Sequence, residues 1–140
     1  MKPIVYEAEI QVRFSDLDVN GHVHAPNYLD YVISGRWTFF KSKFGFGHDE
    51  LLKRGLGFYV SRVETFFKRP ILGGEQFVRL RSWISEAQKI RYVAAYELTS
   101  LDGKTIYSNG NFDFVPIDVP TQKPQPMPEW AIGYFFESEI

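Results

Sequence analysis

Between Pro26 and Phe44 the chain carries Tyr28, Leu29, Tyr31, Val32, Ile33, Trp37, Phe39, Phe40 and Phe44, apolar residues spread over more than one helical stripe. A helix with that pattern cannot rest on a surface with most of itself in water; it has to be covered on several sides. Pro26 fits the first turn, where its missing N–H would have lacked a partner anyway, and Gly45 is placed to end the helix in the left-handed conformation. Gly35, in the middle, costs about 1 kcal/mol against Ala and so points to close approach by a neighbouring backbone. The rest of the chain must supply the cover.

Most of that remainder reads as strands. Tyr6, Ala8, Ile10, Val12 and Phe14 alternate with Glu7, Glu9, Gln11 and Arg13, which predicts a half-buried strand from about Ile4 to Phe14. After the helix, His48 to Arg54 forms a short helix closed by Gly55, and an extended stretch follows from Phe58 to Lys68 with Tyr59, Val63 and Phe67 marking one face. Residues 69–74 turn the chain into strands over Phe77–Ile84 and Ile90–Ser100, and Asp102-Gly103 signals a type I′ hairpin into a last strand, Lys104–Val115. Five of the eight prolines follow Val115, so the end of the chain reads as an extended tail over the domain, anchored by Trp130. With no internal repeat or linker, residues 1–140 are one α+β domain, an antiparallel sheet wrapped around a long central helix.

Composition removes several functions. Sixteen Lys and Arg against 17 Asp and Glu leave a formal net charge of −1, so no general basic field exists to recruit nucleic acid or an anionic membrane. The absence of Cys excludes a disulfide framework, a thiol nucleophile and Cys-based zinc. No apolar run reaches the roughly 20 residues of a membrane span, and the N-terminus does not read as a signal peptide, so a cytoplasmic protein is expected.

Chemistry concentrates in Arg13 to Tyr28, where acids, imidazoles and amides join the first strand to the helix. A carboxylate beside a helix N-terminus is held ionised by the dipole and nearby N–H donors, so Asp18 is able to attack an acyl carbon or draw a proton from water. Unpaired amides at the same helix end suit an oxyanion, each such donor being worth about 3 kcal/mol. The competing reading makes Asp16, Asp18 and Asn20 turn and cap residues. Asp16 is expected to be a structural hydrogen-bond acceptor. Asp16-x-Asp18-x-Asn20-Gly21 also opens like an EF-hand loop, but Asn27 stands where the closing Glu is needed and a strand precedes it. His22 and His24 share one loop and His48 lies apart, so no metal first shell follows from spacing. His22 is expected to hydrogen-bond within the loop, His24 to line the substrate entrance, and His48 to cap a helix or face solvent.

The element order, together with Asp16-x-Asp18-x-x-Gly21-His22-Val23 and Pro26-Asn27-Tyr28, resembles the hotdog-fold thioesterases of the 4-hydroxybenzoyl-CoA and acyl-CoA thioesterase group. The resemblance implies a hotdog fold and hydrolysis of an acyl-CoA or acyl carrier protein thioester. In it Asp18 is the nucleophile or general base, the Ala25 N–H polarises the carbonyl, and Asn27 and Tyr28 shape the pocket. Lys89 and Arg91 fall at a turn where relatives meet the phosphates of coenzyme A, and Lys and Arg suit such anions. It implies no metal or redox cofactor, and a homodimer or homotetramer with sites between protomers. The chain departs from many relatives at His24 and Ala25, where two Asn are common, and at Ser34, where an acid often stands. These departures keep open a non-catalytic hotdog subunit that binds acyl-CoA or acyl carrier protein.

Overall fold

The apolar segment forms the 20-residue helix α1 (Ala25–Phe44) in the computed structural model, which describes residues 2–138. Gly45 closes it at φ 84°, its N–H on the Lys41 carbonyl. Tyr28, Tyr31, Val32, Gly35, Arg36 and Phe40 are buried, while Pro26, Asp30, Ser34, Thr38 and Lys41 form an exposed stripe along the helix, with Ala25, Ser42 and Lys43 also exposed at its two ends. The cover that the composition demands is therefore present on all other sides. At Gly35 it consists of side chains and not the expected backbone: a Cβ there would lie 2.6 Å from Leu80 Cδ2 and 2.8 Å from Ile10 Cδ1.

The covering layer is a six-stranded antiparallel sheet of β1 (Tyr6–Gln11), β2 (Leu56–Phe67), β3 (Phe77–Ala87), β4 (Tyr92–Thr99), β5 (Ile106–Asp118) and β6 (Lys123–Pro124). Its order is β1-β3-β4-β5-β2, with β6 on β5. Val78, Leu80 and Ile84 of β3, Ala94, Tyr96 and Leu98 of β4, and Phe112 and Phe114 of β5 face the helix and join one core. That face is apolar at alternate positions because successive side chains on a strand point to opposite sides. A short helix α2 (His48–Lys53) ends at Gly55, φ 86°, and returns the chain to the sheet at β2.

Several boundaries differ from the sequence reading. The first strand stops at Gln11, and a 3-10 turn over Phe14–Asp16 sends Phe14 outward, 90% exposed, while Asp16 takes the interior. Val63 and Phe67 share a face, but a bulge between Val60 and Arg62 turns Tyr59, opposite Val115, to the other side, and because β2 is an edge strand all three are about half exposed. The Asp102-Gly103 turn is not type I′, because Gly103 alone of the pair has positive φ. Ser100 and Thr105 close a wider loop, and the Asp102 carboxylate accepts the Ser100 hydroxyl and the Lys104 N–H. The last strand continues through Pro116, opposite Phe58. The proline-rich end forms β6 and a one-turn helix α3 (Glu129–Ile132), and it is anchored by buried Met127, Ala131 and Phe135. Trp130 lies outside, under the Arg54 guanidinium at 3.8 Å.

Candidate active site

The loop from Asp16 to His24 is tied in place by its backbone. Asp18 N–H donates to the His22 carbonyl at 2.7 Å and Gly21 N–H to the Asp18 carbonyl at 3.1 Å, with Gly21 at φ 72° allowing the turn. Val23 N–H then reaches the Ile71 carbonyl, and Gly73 N–H reaches the Gly21 carbonyl. A Cβ on Gly73 would lie 2.7 Å from Leu17 Cδ1, so a small residue there lets the two loops touch. From the helix side, buried Tyr28 accepts the Ile71 N–H at 3.0 Å and sets its ring edge-on to Phe67. Two segments distant in sequence, residues 16–28 and 67–73, thus meet at the start of α1.

The two acids of the loop have separate surroundings. Asp16 is buried and accepts the Tyr31 hydroxyl at 2.7 Å, Arg13 Nε and a terminal Arg13 nitrogen at 3.2 Å each, and Asn27 Nδ2 at 3.3 Å. Burial alone would raise its carboxyl, but the Tyr31 and Arg13 hydrogen bonds outweigh that and hold it below the usual range. This is the structural acceptor the sequence led us to expect. Asp18 is half-buried; its Oδ1 accepts the Asn20 N–H at 2.8 Å and the His22 N–H at 3.1 Å. These amides, His22 foremost, hold its carboxyl below the usual range, and Oδ2 has no partner among the described residues. The carboxylates face different partners and do not converge as EF-hand ligands do.

Asp18 borders an open hollow of about 410 Å³ whose wall also contains His22, Ala25, Tyr28, Phe67, Lys68 and Arg69. Ala25 is the first residue of α1, Pro26 has no N–H, and Asn27 N–H bonds to the His24 carbonyl. Among the described residues the Ala25 N–H has no acceptor, so this helix end offers one free donor at the hollow. His22 hydrogen-bonds within the loop through its backbone, and among the described residues its imidazole makes no hydrogen bond. His24 is exposed at the N-cap position and does not line the hollow; neither does Asn27, whose amide is taken by Asp16 and Asp30.

Lys89 and Arg91 sit at the other end of the sheet. Arg91 pairs with Asp113 at 2.9 Å and approaches Glu86 at 3.7 Å. Asp113 is opposite Arg62, and Arg62 precedes Phe67 by five residues along β2, about 17 Å at strand rise. Within one chain these cations are not brought to the Asp18 hollow. Lys68 and Arg69 are, at the start of a stretch whose sequence, Arg69-Pro70-Ile71, marks only a turn. Their signal was present but silent, because nothing in the pattern of β2 tells which end of it meets the loop.

The family model of the thioesterase-like superfamily matches residues 12–134, which include every residue of this hollow. The chain belongs to that superfamily. In keeping with this, it is 26% identical over 134 residues to the "Putative acyl-CoA thioesterase YneP" of Bacillus subtilis, covering 93% of this chain and 95% of that one. Among solved structures, a DHNA-CoA thioesterase from Staphylococcus aureus superposes with a TM-score of 0.80 at 25% identity, over 93% of this chain and 88% of that chain. A 1,4-dihydroxy-2-naphthoyl-CoA thioesterase from Synechocystis shares the fold at a TM-score of 0.79 and 18% identity, over 93% and 94% of the two chains. The expected hotdog fold and thioesterase family are borne out.

Proposed function

We propose that this superfamily member hydrolyses acyl-CoA thioesters, with Asp18 and the Ala25 N–H as its chemical centre. The observation that carries the reading is that a carboxylate with one free oxygen and the one unpaired amide of the helix start border the same hollow. With the thioester carbonyl oxygen on the Ala25 N–H, negative charge developing there is stabilised by the amide and by the positive end of α1. Asp18 Oδ2 then attacks the carbonyl carbon and expels the thiolate, leaving a mixed anhydride that water cleaves, or it takes a proton from a water that attacks the same carbon as the thiolate leaves. By either route the C–S bond breaks, the thiolate takes up a proton, and water and thioester become acid and thiol. Depressed as its pKa is, Asp18 is ionised at neutral pH, as either role requires. Lys68 and Arg69, exposed in the wall and without a carboxylate partner among the described residues, suit the phosphates of coenzyme A or the phosphopantetheine of an acyl carrier protein.

The reading includes a homodimer. The 12-residue edge strand β2 presents Tyr59, Val60, Val63, Phe66 and Phe67 to solvent, and an exposed apolar edge of that length needs a covering strand. Antiparallel pairing of β2 with its copy would place the start of one β2 near the end of the other, beside the hollow.

A panel of aromatic, short, medium and long acyl-CoAs and acyl carrier proteins, with thiol release followed spectroscopically, tests the activity. Turnover of at least one acyl-CoA is expected. Tight binding with no turnover of any would replace the enzyme by a binding subunit.

A further inference from the structure

A second cavity, about 400 Å³, lies between α1, α2 and the sheet and shares no wall residue with the Asp18 hollow. Its wall is largely aromatic, with Trp37, Phe40, Phe58, Phe112 and Phe114, and it contains one permanently charged group, the guanidinium of Arg36. Arg36 is only 9% exposed. One terminal nitrogen donates to Ser82 Oγ at 2.9 Å, and Ser82 in turn donates to the Ala95 carbonyl, so the partner is neutral. The Tyr6 ring lies 4.4 Å from the guanidinium carbon and that of Phe112 5.7 Å. Among the described residues no carboxylate approaches within ion-pair distance, and the other guanidinium nitrogens have no protein acceptor and are not sealed from the cavity's open space.

A buried cation with one neutral hydrogen bond is costly unless something completes its shell. Ring faces offset part of that cost and provide no lone pairs for the planar fork. The cavity meets solvent on the α2 side at His48 and Leu52, both exposed and off the β2 edge, so a small molecule has a way in. A neutral apolar guest would leave the guanidinium unpaired, and a dianionic phosphate would bring a second charge for which the wall holds only the His48 imidazole, in place of the apolar body that the aromatic rings suit.

We propose that this cavity binds a monocarboxylate with an apolar body, its carboxylate paired with Arg36 and its hydrocarbon packed among the aromatic side chains. Within one chain the site shares no wall residue with the Asp18 hollow, and the proposal does not depend on the hydrolytic reading.

Calorimetric titration with decanoate, and with decan-1-ol as the uncharged match, tests it on the whole protein. Decanoate should bind the unaltered chain at one site per protomer and more tightly than the alcohol. Arg36→Met, which keeps an apolar side chain of similar length, should weaken decanoate by about 10- to 100-fold, the loss of a charge-assisted pair, and leave the alcohol's affinity unchanged. Asp18→Asn should bind decanoate as the unaltered protein does. Equal decanoate affinity in Arg36→Met, or loss of decanoate binding in Asp18→Asn, would overturn the site. If Arg36→Met does not fold, the comparison of acid with alcohol on the unaltered protein decides: decanoate no tighter than decan-1-ol refutes the proposal.

Discussion

The Tyr31 hydroxyl reaches from the second turn of α1 to Asp16 Oδ2 at 2.7 Å, and no corresponding bond reaches Asp18. Two acids that are equivalent on paper, two residues apart, are thereby divided: one is spent on holding the loop to the helix, the other keeps a free oxygen at the hollow.

Asp18→Asn should lose about 10²- to 10⁴-fold in kcat/KM, the usual worth of general acid–base help, because an amide is neither a useful base nor a nucleophile. Its remaining Oδ1 still accepts the Asn20 and His22 amides, so the melting temperature should hold. Asp16→Asn should do the reverse, costing about 1–3 kcal/mol of stability through the weakened Tyr31 and Arg13 bonds. Thermal melts beside kinetics on both variants check this; full activity in folded Asp18→Asn would return Asp18 to a turn residue.

Ala25→Pro should remove the oxyanion donor almost alone. Ala25 is the first helical residue and His24 before it has φ −62° and ψ 135°, an extended conformation that a following proline accepts. The lost N–H supports no internal bond, so stability should change little while kcat falls by about 10²- to 10³-fold. Unchanged kcat in this variant would place the oxyanion elsewhere.

Acid should act on stability through Asp16 and on activity through Asp18. The folded pKa of Asp16 is below its unfolded value, so the stabilisation is complete above about pH 4 and is lost as pH falls through the folded value. The Asp18 carboxyl is also depressed, so the acid limb of kcat/KM should not appear above about pH 4. A pH–rate profile with an acid-limb pKa above about 5 would assign that limb to another group.

Lys68→Ala and Arg69→Ala should raise KM for acyl-CoA several-fold each and leave kcat nearly intact, since phosphate contacts far from the thioester bind ground and transition states alike. The effect should shrink with added salt. Equal KM in all three proteins would remove these cations from the coenzyme site.

Light scattering should return at least twice the 16.3 kDa of one chain. Val63→Lys on the edge strand, where Val63 is 43% exposed, should shift the mass toward the monomer and reduce activity with it. A monomeric unaltered protein with full activity would contradict the shared-site reading.

How much of this was legible in the chain follows from the range of the interactions involved. The helix and its caps, the alternating strands and the acid-rich connection into the helix rest on local periodicity and on residues such as Pro26 and Gly45 whose backbone preferences act within a turn. The motif likewise carried the family and the candidacy of Asp18. What local signals did not contain was which distant segments meet. Phe14 alternates correctly for a buried face, yet the 3-10 turn that buries Asp16 expels it, because the Tyr31 bond to that carboxylate requires the helix to fold back on the loop. Lys68 and Arg69 became site residues, and Lys89 and Arg91 did not within one chain, through strand register alone, which depends on pairings of β2 with β5 more than forty residues apart. Arg36 was one polar position in an apolar helix; that it is buried without a carboxylate is a property of the sheet closed over it. Sequence by itself determined the elements and the chemistry they carry; the tertiary structure decided which of those groups share a cavity, because contact between them is made by packing across the sheet and not along the chain.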